Sequence, residues 1–147
     1  DEYIDETIKD LSIHTDKVPS NEKEEKLDQA LASVAIKTAL KRHAGYLEET
    51  YTGFGLTYIQ MGKDLTRVEK AIVTGGSLIH TKNTLDICSY ATYKKEDGLS
   101  LRPKKVEVLL DYRYILASMG LLAMLYPDIA LRIMKKELKS YGTTNLE

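Results

Sequence analysis

The chain has 147 residues but only one cysteine, no tryptophan, one phenylalanine and three prolines. Cys88 cannot close an internal disulfide by itself and suits a reducing cytoplasm, where the protein is expected to reside. No apolar stretch approaches the roughly 20 residues needed to cross a bilayer, so no membrane partner is expected. The opening DEYIDETIKD is acidic and lacks the apolar run of a signal peptide. A net charge of −1, from 21 basic and 22 acidic residues, gives no field suited to a polyanion. That counts against nucleic-acid binding. His14, His43, His80 and Cys88 have no spacing that would make a metal site. The chain also lacks an initiator methionine, and it ends in Leu146-Glu147, a pair often left by a cloning site. An excised piece of a larger protein is therefore expected, with residues 146–147 a vector scar.

What is present suffices for a core, since 43% of residues are hydrophobic. Ile4, Ile8 and Leu11 sit at helical spacing, and IHTDKVPSN after them has loop chemistry, so residues 1–20 read as a short helix and loop leading in. Asn21 followed by Glu24 reads as a helix N-terminus. The spacing predicts one long helix across EEKLDQALASVAIKTALKRHAGYLEE, with Leu27, Leu31 and Val34 on one stripe and Ile36, Leu40 and Leu47 on another. Leu56 to Met61 reads as a strand, and Gly62-Lys63-Asp64 as a turn. VEKAIVT reads as a second strand, buried at Ala71 to Val73. A helix follows near Asn83, which would cap it, with Leu85, Cys88 and Ala91 inward. KKEDGLSLRP is a polar loop. Val106, Val108 and Leu110 alternate in a strand that ends at Asp111, a residue expected to accept hydrogen bonds from a helix N-terminus. YILASMGLLAML is apolar nearly all round and predicts a central helix. Pro127 starts another, lined inside by Ala130, Ile133, Met134 and Leu138, with Lys135, Lys136 and Lys139 near its end and Gly142 as its stop. The order α, α, β, β, α, β, α, α indicates an α/β (or α+β) arrangement, a mixed sheet packed with helices.

The stretch AIVTGGSLIH, residues 71–80, carries the clearest functional hint. A glycine pair between a strand and a helix exposes backbone N–H groups at the carboxyl end of a strand, where ligands bind in open α/β sheets. It is neither a G-x-G-x-x-G fingerprint nor a P-loop. Alone it is a weak signal, and a turn needing positive φ is the plainer reading. Lys63 and Asp64 could face the same cleft, or form only a solvated turn. His43 reads as a cation at a helix C-terminus, and Cys88 as a small core residue.

Four stretches carry a resemblance: RHAG (42–45), YIQMGKDLT (58–66), VEKAIVTGGSLIH (68–80) and LDYRYILASMGLLAMLYPDIALRIMKKEL (110–138). In word order and spacing the chain from about Glu22 onward resembles the C-terminal part of the glutamate mutase MutL family, which is unrelated to the mismatch-repair proteins of the same name. That family resembles a branch of the actin and sugar-kinase ATPase superfamily. The resemblance implies that residues 21–145 form the C-terminal lobe of an actin/ribonuclease H-like ATPase domain. It implies a reactivating chaperone that uses ATP to release inactivated cobalamin from a coenzyme B12-dependent mutase, whose subunits would be the partners. It further implies that Thr74, Gly75, Gly76 and Ser77 lie against the adenosine of ATP. No Asp-x-Gly-Thr/Ser hairpin occurs in the 147 residues, so Mg²⁺ is expected only in the full-length protein and no catalysis in this piece alone. The competing expectations are a non-catalytic interaction domain and, weakened by the charge balance, a DNA-repair component. An excised lobe would expose apolar surface, which leaves a homodimer open.

Overall fold

The computed structural model describes residues 2–144; the pair read as a vector scar lies outside them. Two helices come first, α1 (Glu2–Ile13) and α2 (Glu22–His43). Asn21 caps α2, its side-chain oxygen accepting from the amides of Lys23 at 3.1 Å and Glu24 at 3.0 Å. The Glu24 carboxylate turns back one residue further than expected, to the amide and hydroxyl of Ser20, both at 2.8 Å. The helix stops earlier than its periodicity implies. Ala44 turns extended at ψ 144°, and Tyr46–Thr52 forms strand β1, paired antiparallel with β2 (Gly55–Met61). Leu47 lies seven residues after Leu40 and so mimics a continuing helical stripe. Pairing with β2 overrides that local preference. Val34, expected on a stripe with Leu27 and Leu31, is exposed.

The second sheet is the centre of the fold. Strands β3 (Lys70–Val73) and β4 (Glu107–Leu110) run parallel, and β5 (Lys139–Thr143) pairs antiparallel with β4. With helices packed around this mixed sheet, the fold is α/β, as expected. Between the parallel strands the chain crosses over through α3 (Gly76–Ile79) and α4 (Thr84–Ser89). Side chains alternate across a strand. Val73, Val108 and Leu110 therefore share one face, where they pack with Ile79 of α3 and Cys88 of α4. Ile72 points the other way and is exposed, so β3 is buried on one face rather than throughout its apolar run.

Asn83 sits at the start of α4 as expected, but its side chain does not cap the helix; it donates to Gln29 Oε1 of α2 at 2.9 Å. Ile87 joins Cys88 in the core in place of the expected Ala91. The polar loop before β4 hides a charge. Arg102 is only 3% exposed. Its guanidinium donates to the Lys37 carbonyl at 3.3 Å and faces Asp97 at 3.5 Å, tying the loop to α2.

After β4 come α5 (Leu116–Ala123) and α6 (Pro127–Glu137), with Pro127 in the first turn of α6 and Ala130 fully buried, as expected. Two expectations fail here. The helix expected to be central, α5, buries no residue: Leu121 is 71% and Met124 81% exposed. Its contacts are chiefly with α6. Lys139 and Gly142 belong to β5 rather than to a helix end. A Cβ at Gly142 would come within 2.7 Å of Leu85 Cδ1, so glycine is there to let α4 approach the strand.

Candidate functional site

In a parallel pair the carboxyl ends of both strands open onto one edge. Here β3 runs out into Thr74-Gly75-Gly76-Ser77 and β4 into Asp111-Tyr112-Arg113-Tyr114. The two loops are stitched together at their roots. The Asp111 amide donates to the Val73 carbonyl at 2.9 Å, and the Thr74 hydroxyl approaches Asp111 Oδ2 at 3.4 Å. Asp111 is buried, and its carboxylate accepts the amides of Ile115 at 2.9 Å and Leu116 at 3.3 Å. These bonds satisfy the first amides of α5, which a helix cannot satisfy itself. This is the structural role the sequence suggested for Asp111.

Gly75 has φ +112°, a conformation that other residues rarely adopt, so the turn explains this glycine. Gly76 has no such need. A Cβ there would have ordinary contact with one atom, the Tyr114 hydroxyl at 3.5 Å, and a Cβ at Gly75 would meet nothing within 4 Å. The turn at the glycine pair is thus open, with bare backbone facing space. Ser77 Oγ donates to Asp28 Oδ1 of α2 at 3.0 Å, and Gln29 Nε2 donates to Thr81 Oγ1 at 3.1 Å. These bonds clasp α2 to the segment after the glycine pair.

A hollow of about 640 Å³ lies at this clasp. Its walls are the linker Thr15–Pro19, the α2 residues Glu25, Asp28 and Gln29, and Gly76, Ser77 and His80 to Asn83. Its volume falls within the range of about 300–1,000 Å³ typical of small-molecule sites. Of the residues singled out in the sequence, Gly76 and Ser77 line the hollow, while Thr74 and Gly75 lie directly before them in the chain. Lys63 and Asp64 do not line it. Lys63 accepts the Gly45 amide on its carbonyl at 2.7 Å. The Thr66 hydroxyl and amide, at 2.6 Å and 2.9 Å, hold the Asp64 carboxyl below its ordinary value. Glu25, Asp28, Gln29 and His80 were missed. The polar pair Asp28-Gln29 beside Leu27 was the available signal, but nothing in the sequence says that α2 folds back onto the glycine pair.

His43 ends α2 beside Lys41 and Arg42, in keeping with a dipole-compensating cation. Burial pushes the Cys88 thiol up to about 11, which leaves little thiolate at neutral pH and fits a core residue. Among the described residues no group of three His, Cys, Asp or Glu side chains is placed to hold a metal ion, and no helix is long and apolar enough to cross a membrane.

Comparison with known proteins matches residues 1–138 to the family model described as "MutL protein". The chain is 46% identical over 125 residues to "Protein MutL" of Clostridium tetanomorphum, an alignment covering 85% of this chain and 27% of that relative. The chain thus spans about a quarter of the length of the curated relative it matches. No solved structure matches it. With a family match across nearly its whole length and a 46% identical relative over most of it, the chain belongs to the MutL protein family.

Proposed function

We propose that this chain is the nucleotide-side lobe of an ATP-dependent reactivating factor for a coenzyme B12-dependent glutamate mutase. One observation carries the reading: an open glycine pair at the carboxyl edge of parallel strands, with Gly76 and Ser77 on the wall of a hollow large enough for a nucleoside. In this role the bare backbone of Gly75 and Gly76 lies against the adenosine, and the Glu25 carboxylate and the second carboxylate oxygen of Asp28, whose first already accepts from Ser77, accept ribose hydroxyls. ATP supplies the free energy for separating mutase and spent cofactor, and this lobe supplies binding and orientation only. Phosphate clamps and the Mg²⁺ site then belong to the remainder of the longer protein.

Titration of the isotope-labelled chain with ADP, followed by amide NMR, tests this. Shifts concentrated at Thr74 to Ser77 and at Glu25 to Gln29 are expected. Shifts scattered over the surface, or none at millimolar ADP, would reject the nucleotide reading.

The exposed apolar α5–α6 pair favours a second reading, a protein-docking lobe that acts without nucleotide. Mutase capture by the longer protein that is lost with Leu121→Glu, yet indifferent to ATP, would favour it. Concentration-dependent self-association would instead assign that face to a homodimer.

A further inference from the structure

We infer that Tyr114 is a ligand-contacting wall of the glycine-pair site, an aromatic side chain held over Gly76 to meet an adenine nucleoside. The inference rests on the nucleotide reading and adds to it a residue from the second strand's loop. Three independent observations converge on this side chain.

The first is its backbone. Tyr114 has φ +53° and is the only non-glycine residue with positive φ among those described. The cause is Asp111: its carbonyl accepts the Tyr114 amide at 3.2 Å while its carboxylate holds the next two amides, so the chain must turn sharply at Tyr114. Glycine or asparagine would make that turn with less strain than a bulky aromatic. Strained conformations persist where a side chain is needed at one place, and they gather at binding sites.

The second is where the side chain ends. Outside the chain neighbours of Gly76 and the backbone of its own helix, the Tyr114 hydroxyl is the one heavy atom within 4 Å of the point where a Gly76 Cβ would stand. It lies across bare backbone, within ordinary contact distance of where a Cβ at position 76 would stand. Tyr114 is 47% exposed, and its hydroxyl makes no hydrogen bond among the described residues. It can therefore donate to or accept from a ligand.

The third is what the hollow lacks. Its walls carry acidic, basic, amide and hydroxyl side chains and the His80 imidazole, but no phenyl, phenol or indole ring. A purine gains most from a π-face to rest against. Tyr114 does not line the hollow itself; its hydroxyl reaches the edge of it at Gly76 from the neighbouring strand loop, and with a nucleoside bound there its ring supplies that surface beside the polar groups suited to the ribose.

The test uses the unaltered chain and two variants, Tyr114→Gly and Tyr114→Phe, titrated with ADP by calorimetry. Tyr114→Gly is expected to weaken ADP binding by about tenfold, the scale of one base–aromatic contact. Its melting temperature should stay level or rise, because glycine relaxes the turn; a residue with a purely structural role would give the opposite pattern. Tyr114→Phe keeps the ring, so its affinity should fall between the two. On the unaltered chain, selectively labelled tyrosine should give an intermolecular NOE from the Tyr114 ring to adenine H2 or H8. Unchanged affinity in Tyr114→Gly, or ADP binding without that NOE, overturns the role of Tyr114 and leaves the glycine-pair site standing. Failure of the unaltered chain to bind ADP overturns both.

Discussion

Helix α4, TLDICS, and helix α5, LASMGLLA, are both short; half of α4 and most of α5 is apolar. By composition α5 is the better core helix, since it has no charged residue while α4 carries Asp86. Yet α4 buries Ile87 to 2% exposure with Cys88 beside it, and α5 buries nothing. The difference lies in what surrounds each helix. α4 is wedged between the sheet and α2, with Gly142 cut back so that its Leu85 can reach β5. α5 hangs from the edge of the sheet by the hydrogen bonds of Asp111 and leans on α6. Apolar content measures how much a helix gains from being covered; it does not supply the cover.

The comparison can be broken at its strongest point. Ile87→Ala should cost about 3 kcal/mol in urea denaturation, as a cavity in a packed core. Asp111→Ala should come next, at about 2 kcal/mol, because the amides of Ile115 and Leu116 at the start of α5 and the Thr74 hydroxyl lose their acceptor. Its damage should show in the amide exchange of α5 while α4 stays protected. Leu121→Ala should change stability by no more than about 0.5 kcal/mol, although it removes the same kind of apolar surface. A loss at Leu121 equal to that at Ile87 would mean that α5 is covered in solution.

The smallest effect belongs to a third kind of attachment. α1 and its linker are held to α2 through polar contacts. Lys17 lies 2.7 Å from Asp10 and 3.7 Å from Glu24, and the Lys23 ammonium stands 3.3 Å from the Tyr3 ring centroid. Bonds from the Ser20 amide and hydroxyl, with help from Lys17, hold the Glu24 carboxyl below its ordinary value of 4.5. A carboxyl lowered by folding stabilises the fold above its unfolded value, and that contribution is lost as pH falls through the folded value. Protection factors of the α1 linker amides, corrected for the intrinsic pH dependence of exchange, should therefore fall below about pH 4.5, whereas those of Ile87 and Cys88 hold. Equal loosening of both regions would show that the linker is not the acid-sensitive part.

Local chemistry was legible wherever one residue or one period decides the outcome. Val106, Val108 and Leu110 alternate and are all buried; Asn21 caps; Pro127 opens α6; Gly75 turns at positive φ. Misreadings came where a partner decides. Leu47 continued a helical count but pairs with Gln60 in a hairpin. Gly142 resembled a helix stop but sits in β5, the strand that completes the sheet. At the site, the glycine pair was visible, whereas Asp28, Gln29 and Tyr114 reach it from distant parts of the chain.

By itself the sequence determined the α/β character, the inward face of β4, the cap of α2 and the bare backbone at residues 75–76. Each of these follows from side-chain period or from the steric limits of a single residue. Tertiary structure alone decided that α2 walls a hollow beside Gly76, that the Tyr114 hydroxyl comes up to Gly76, and that α5 stays exposed. Those outcomes depend on which surfaces meet across long stretches of chain, and no local pattern encodes that.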